Sequence, residues 1–341
     1  MESDKGSVCV TGGTGFIASW MIKLLLEQGY TVHTTMRPDP ENKRDISFLT
    51  SLPGAEEKLK IFRADLSDPN SFDAAIEGCK GVIHAATPVD FADNEPEPVV
   101  TKRAIDGALG ILKSCLKSKT VKKVVYTSSA SAVQYSKWQD VETMDESFWT
   151  DTDFVRKIET KEFGSSYAIS KTLTEKAALE FAAQNGLDLV TIVPSVVLGP
   201  FICPKFPGSV NSSLAPILPG IQNQNEWMIF LLNVSMIHVD DLSRAHIFLL
   251  ENPSAQGRYI CSSHTVTLER IVQILATKYP EFSTPTPESL ANIKGRKLAG
   301  LSSKKLLDLG FKFKYGVEDM YDGAIKCCKE KGFLLLGSTN S

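Results

Sequence analysis

Between a short apolar run, Ser7-Val-Cys-Val10, and a helical-period run from Gly15 to Gln28 lies Thr11-Gly-Gly-Thr-Gly-Phe-Ile-Ala18. No other segment constrains the fold as strongly. Gly12 and Gly15 permit a sharp strand-to-helix turn and let backbone approach a ligand closely. The helix that follows begins with unpaired N–H groups and a positive dipole end, which suits a pyrophosphate. A glycine-rich loop means little alone, but this one stands between a strand and a helix, the context that nucleotide binding requires. The third small position is Ala18, where one methyl at a helix–sheet contact is tolerable.

The downstream pattern agrees with this start. Strand-like runs at Tyr30 to Met36, Leu59 to Ala64, Gly81 to Ala86, Lys123 to Ser128 and Leu187 to Pro194 alternate with helical runs. The clearest helices are Val99 to Ser118 and Ser166 to Gln184. Such alternation predicts an α/β fold with a parallel, doubly wound, Rossmann-type sheet. After Pro194 the regularity stops: Pro200, Pro204, Pro207, Pro216 and Pro219 fall within a short span. Breakers at that density predict a smaller C-terminal substrate lobe. We therefore expect a nucleotide-binding domain over 1–198 and a lobe over 199–235 and 262–341. A segment near 236–261 is expected to return to the sheet.

The chain has 341 residues, 43% of them apolar and 23% charged, with a net charge of −3. This composition suits a globular protein and offers no basic block for nucleic acid. No apolar run is long enough for a bilayer, and Met1 to Gly6 lacks a signal core. The seven Cys form no zinc-like spacing, so no metal is expected. Without a signal core, free thiols in a reducing, cytoplasmic compartment are the favoured reading.

The tip of the second strand discriminates between cofactors. A carboxylate there holds a ribose 2′-OH, whereas an Arg accommodates a 2′-phosphate. The sequence reads Thr35-Met-Arg-Pro-Asp39, followed by Lys43 and Arg44. Arg37 and Lys43 thus point to NADPH/NADP+. Asp65, after the third strand, is a candidate for the adenine edge or for a helix cap.

The catalytic candidates follow. Thr127-Ser-Ser129 ends the fifth strand, and ligands sit at the carboxyl ends of strands in such sheets. A Ser hydroxyl there can steady oxyanion charge. Tyr167 and Lys171, four apart, share one helix face. A neighbouring ammonium lowers a phenol pKa, so Tyr167 is expected to be tuned from about 10 toward neutrality as a proton donor. Among eight Tyr, only Tyr167 has Lys at the fourth following position.

Taken in order, the glycine loop, Thr127-Ser-Ser129 and Tyr167-x-x-x-Lys171 resemble an extended short-chain dehydrogenase/reductase. His84-Ala-Ala-Thr-Pro-Val-Asp-Phe91, Gly199-Pro-Phe-Ile202, Tyr259-Ile-Cys-Ser-Ser-His264 and Leu309-Gly-Phe-Lys-Phe-Lys-Tyr315 further resemble the plant dihydroflavonol 4-reductase group. The resemblance covers nearly the whole chain. It implies Ser129, Tyr167 and Lys171 as the catalytic set, with hydride passing from NADPH to a ketone. It implies a cofactor site of Gly12, Thr14, Gly15, Phe16, Ile17, Arg37, Lys43, Asp65, Leu66, Ala85, Thr87, Thr127, Ser128, Pro194 and Val197, with Tyr167 and Lys171. Val89, Phe91, Gln134 and Phe201 are the implied substrate readers. Gln134 stands where dihydroflavonol reductases usually carry Asn. The expected substrate is a small-molecule ketone, an aromatic plant metabolite of isoflavonoid or flavonoid type. Alternatives are an alkaloid or steroid ketone, the oxidative direction, or a catalytically silent NADP-binding regulator. The resemblance favours a monomer.

Overall fold

The computed structural model describes residues 5–39, 41, 44–87, 95–137, 141–157, 165–218 and 220–334. Among these, twelve strands occur in chain order: β1 (Ser7–Thr11), β2 (Thr31–Met36), β3 (Leu59–Arg63), β4 (Gly81–His84), β5 (Lys123–Thr127), β6 (Thr143–Met144), β7 (Leu189–Pro194), β8 (Val196–Leu198), β9 (Asn233–His238), β10 (Gly257–Cys261), β11 (His264–Thr267) and β12 (Gly300–Leu301). The longer helices are α1 (Phe16–Glu27), α2 (Glu97–Ser118), α3 (Ser165–Asn185), α4 (Val239–Glu251), α5 (Leu268–Lys278) and α6 (Val317–Glu330).

Seven strands form the main sheet in the order β10-β7-β5-β4-β1-β2-β3, and every pairing is parallel. Alternation of side chains sorts the two helical layers. Val8 and Val10 of β1 pack with Met21 and Leu25 of α1 and Ile247 of α4. Cys9 between them faces Ala108 and Ile111 of α2 and Ala178 of α3. On β5, Val124 joins the α2–α3 side and Val125 the α4 side. Each Leu, Ile or Val so buried contributes roughly 1.5–3 kcal/mol, and these stripes hold the helices to their faces. The chain reverses direction across the sheet between β1 and β4, which opens a crevice at their carboxyl ends.

The sequence did not disclose two smaller sheets. In one, β9 lies between β8 and β11; in the other, β6 pairs with β12. β9 therefore stays outside the main sheet, and β10 is the strand that joins it, beside β7. A separate core gathers Phe201, Leu214, Met236, Leu275 and Tyr321 from the later part of the chain. Phe201 meets Phe16 of α1 edge to face, with ring centroids 6.2 Å apart. No helix among the described residues is long and apolar enough to cross a membrane.

Candidate active site

The glycine loop is shaped by close approach. Gly12 has φ +74°, and a Cβ there would lie 3.1 Å from the Ala86 Cα. Gly13, which the sequence did not single out, is more constrained still: a Cβ would fall 2.1 Å from the Thr34 hydroxyl. The loop is tied to the end of β2 by Gly12 N–H to the Thr35 hydroxyl (3.1 Å) and Gly13 N–H to the Thr35 carbonyl (2.9 Å). Gly15 is the N-cap of α1, which has no side-chain cap and no acidic residue in its first turn. Its N–H end, at Phe16 and Ile17, suits an anionic group. Thr14 lies in the turn, and Leu66, Ala85 and Thr87 follow β3 and β4. Thr11 Oγ1 accepts N–H bonds from Ala85 and Ala86, both at 3.1 Å, joining the two strand ends that flank the crevice.

Arg37 is exposed just beyond β2. Asp39 is turned into its own loop, where it accepts the Arg44 N–H at 2.7 Å. Arg37, not that carboxylate, is thus available at the strand tip for a 2′-phosphate. Asp65 caps its own turn, accepting the Ser67 hydroxyl (2.7 Å) and N–H (2.9 Å). Those bonds, first the hydroxyl, hold its carboxyl below the ordinary range; Arg37 and Arg103 add to the effect. Lys43 lies outside the described residues. The uncapped helix end, the glycine cradle and Arg37 fit NADP(H).

At the end of β5, three successive residues meet one face of α3. The Ser129 hydroxyl hydrogen-bonds Tyr167. Lys171 Nζ donates to the Thr127 carbonyl at 2.7 Å, and its next oxygens are Thr87 Oγ1 (3.3 Å) and Tyr126 OH (3.4 Å). The Ser128 hydroxyl donates to Glu175, one turn beyond Lys171 on that face, at 2.6 Å. The structure therefore separates the two serines: Ser129 faces Tyr167, and Ser128 belongs to a buried network below it.

The electrostatics correct one expectation. Burial pushes the Tyr167 phenol up, with the Ser129 hydrogen bond pulling the other way, so the protein's own groups do not bring it toward neutrality. Desolvation disfavours phenolate and ammonium alike. It draws Lys171 down to about 8, against the attraction of Glu175.

The substrate candidates fare unevenly. Val89 and Phe91 lie outside the described residues. Gln134 is buried, and its Nε2 donates to the Ala299 carbonyl at 2.6 Å, bracing the wall after Ser129. Phe201 is 2% exposed and stacks among Phe16, Phe206 and Phe333, so it is a core residue. Pro194 ends β7, and Val197 is buried in β8. Glu175 and Arg258, which sequence reasoning passed over, form a buried ion pair at 2.9 Å.

A nucleotide-shaped strand–helix junction beside a Ser–Tyr–Lys set defines a Rossmann-type oxidoreductase. The chain belongs to the NAD dependent epimerase/dehydratase family, whose model matches residues 8–261, and to its dihydroflavonol 4-reductase-like branch of extended short-chain dehydrogenases/reductases. It is 56% identical to vestitone reductase of Medicago sativa over 334 residues, covering 98% of this chain and 100% of the relative. It is 46% identical to a bifunctional dihydroflavonol 4-reductase/flavanone 4-reductase of Malus domestica over 338 residues, covering 98% and 93%. The crystal structure of alfalfa vestitone reductase matches with a TM-score of 0.86 at 53% identity, covering 97% of this chain and all of that one (100%). Yeast methylglyoxal/isovaleraldehyde reductase Gre2, complexed with NADPH, matches with a TM-score of 0.78 at 26% identity, covering 96% and 100%.

Proposed function

We propose that the protein reduces a ketone to a secondary alcohol on an aromatic plant metabolite of isoflavonoid or flavonoid type, using NADPH. The observation that carries this reading is Lys171, fixed to the Thr127 carbonyl at the strand end one helical turn from Tyr167. NADPH supplies the hydride to the carbonyl carbon when bound. Tyr167 gives its phenolic proton to the carbonyl oxygen, and Ser129 hydrogen-bonds the same oxygen as charge develops there. The Lys171 ammonium then stabilises the phenolate that remains. Gly12, Gly15 and the first turn of α1 would hold the pyrophosphate of NADPH, and Arg37 would hold its 2′-phosphate. The reading includes a monomeric, cytoplasmic enzyme with a nucleotide domain over 1–198 and a substrate lobe over 199–235 and 262–341. Its 56% identity to vestitone reductase over essentially the full chain favours an isoflavonoid-type ketone over an alkaloid or steroid.

The test is a panel of ketones, with vestitone, dihydroflavonols and simple steroid ketones, scored by NADPH consumption and product stereochemistry. The expected result is turnover on vestitone or a close isoflavonoid. Efficient turnover confined to non-phenolic ketones would overturn the substrate class.

A further inference from the structure

Tyr167, Lys171 and Glu175 occupy three successive turns on one face of α3. Each engages a different one of three consecutive residues at the end of β5: Tyr167 meets Ser129, Lys171 meets Thr127 and Glu175 meets Ser128. Glu175 is fully buried, and its carboxylate also binds two other strands of the sheet. Oε1 accepts the Thr191 hydroxyl of β7 at 2.5 Å and Arg258 Nε of β10 at 2.9 Å. Oε2 accepts Ser128 Oγ at 2.6 Å and lies 3.4 Å from Arg258 Nη2. One side chain thus fixes the catalytic helix against β5, β7 and β10 together.

Arg258 carries the connection onward. Its Nη1 donates to the carbonyls of Glu146 and Phe148, each at 2.8 Å, and its guanidinium lies 3.5 Å from the centroid of the Trp149 ring. The next residue, Thr150, clasps the segment after Ser129: its N–H meets the Ala132 carbonyl at 2.9 Å and its hydroxyl the Ser131 carbonyl at 2.7 Å. The helix bearing Tyr167 and the loop bearing Ser129 are therefore referenced to the same buried pair.

We propose that Glu175 is a positioning residue: paired with Arg258, it sets the register of α3 against the end of β5 and so the alignment of Tyr167 with Ser129. A pair that only stabilised the fold would have no need to bond the residue between two catalytic contacts. The inference rests on the reductase reading above, in which that alignment delivers the proton.

The test measures kcat, NADPH affinity and melting temperature for Glu175→Gln, Ser128→Ala and the two combined, with Tyr167→Phe alongside. A misplacement of about 1 Å in a reacting group costs on the order of 10²-fold, so Glu175→Gln is expected to lower kcat about 10- to 100-fold. NADPH affinity should stay within about twofold, since the loss falls on the transition state. Ser128→Ala should lower kcat in the wild-type background and add nothing in the Glu175→Gln background, because both act through one contact. Where Glu175→Gln leaves Arg258 buried without a counter-charge and fails to fold, Glu175→Gln/Arg258→Met removes both charges and takes its place. Folded variants with wild-type kcat, or additive losses, overturn the proposal. Full activity in Tyr167→Phe would instead sink the reductase reading, so the two failures are distinguishable.

Discussion

Lys171 Nζ donates to the backbone carbonyl of Thr127 at 2.7 Å, two residues before Ser129 on the same strand end. That bond ties the ammonium to the sheet and leaves the Tyr167 phenol to Ser129. Tyr167 and Lys171 are thus positioned by residues at and just beyond the end of one strand, which gives the site definite pH behaviour.

Burial draws Lys171 from 10.5 down to about 8. The ammonium is present below that pH and is lost as pH rises through it. Turnover should therefore decline above about pH 8. The same group makes the opposite contribution to stability. Between about 8 and 10.5 the unfolded chain holds the proton and the folded chain does not, so stability gains from Lys171 as pH rises. A kcat profile measured to pH 10 beside urea melts at the same pH values checks both signs. Turnover that stays level to pH 10 would contradict this assignment.

His84 and His246 are buried neutral, drawn down to about 3 and about 4 by desolvation. His84 bonds Thr11 Oγ1 and His246 bonds Thr127 Oγ1, each at 2.9 Å, so both lie behind the site. Their stabilising contribution is complete above about pH 6.5 and is lost as pH falls toward the folded values. At pH 5 the two together should cost about 4 kcal/mol relative to pH 7. Denaturant unfolding at the two pH values measures it. A stability unchanged between them would show that these rings are accessible to protons in the folded state.

Arg37→Ser should weaken NADPH binding about 10- to 100-fold, the worth of hydrogen bonds to a charged partner. NADH binding, without a 2′-phosphate, should change little. Fluorescence titration with both cofactors provides the comparison. Equal losses for the two would place Arg37 elsewhere than the 2′-phosphate.

Phe201→Ala should cost about 3–5 kcal/mol of stability, because the ring fills a core shared with Phe16, Phe206 and Phe333. Thermal melts would show this directly. An unchanged melt combined with a much higher KM for ketone would make Phe201 a substrate contact after all.

The sequence disclosed features whose chemistry is local. The glycine loop announced its strand–helix junction, and the Tyr167/Lys171 spacing announced a shared helix face. Alternating strands and helices gave the parallel sheet. Long-range features were illegible. Glu175 and Arg258 stand 83 positions apart and each resembled an ordinary surface charge until folding buried them together. Phe201 and Gln134 were expected to face a substrate and are buried instead; whether a side chain turns inward depends on packing that no spacing encodes. The direction of the Tyr167 shift failed for the same reason: the pattern revealed Lys171 one turn away, but desolvation of the phenol raises its pKa and only the Ser129 hydrogen bond pulls the other way. The sheet of β8, β9 and β11 joins short segments across a proline-rich stretch, where periodicity has little length to act on.

In the proposed mechanism, Tyr167 delivers the proton to a ketone held beside NADPH. The most direct measurement compares Tyr167→Phe with wild type on vestitone, following kcat and NADPH affinity together. General acid catalysis contributes about 10²–10⁴-fold, so kcat should fall by that factor while NADPH affinity is retained. A Tyr167→Phe protein that keeps wild-type kcat would contradict the claim.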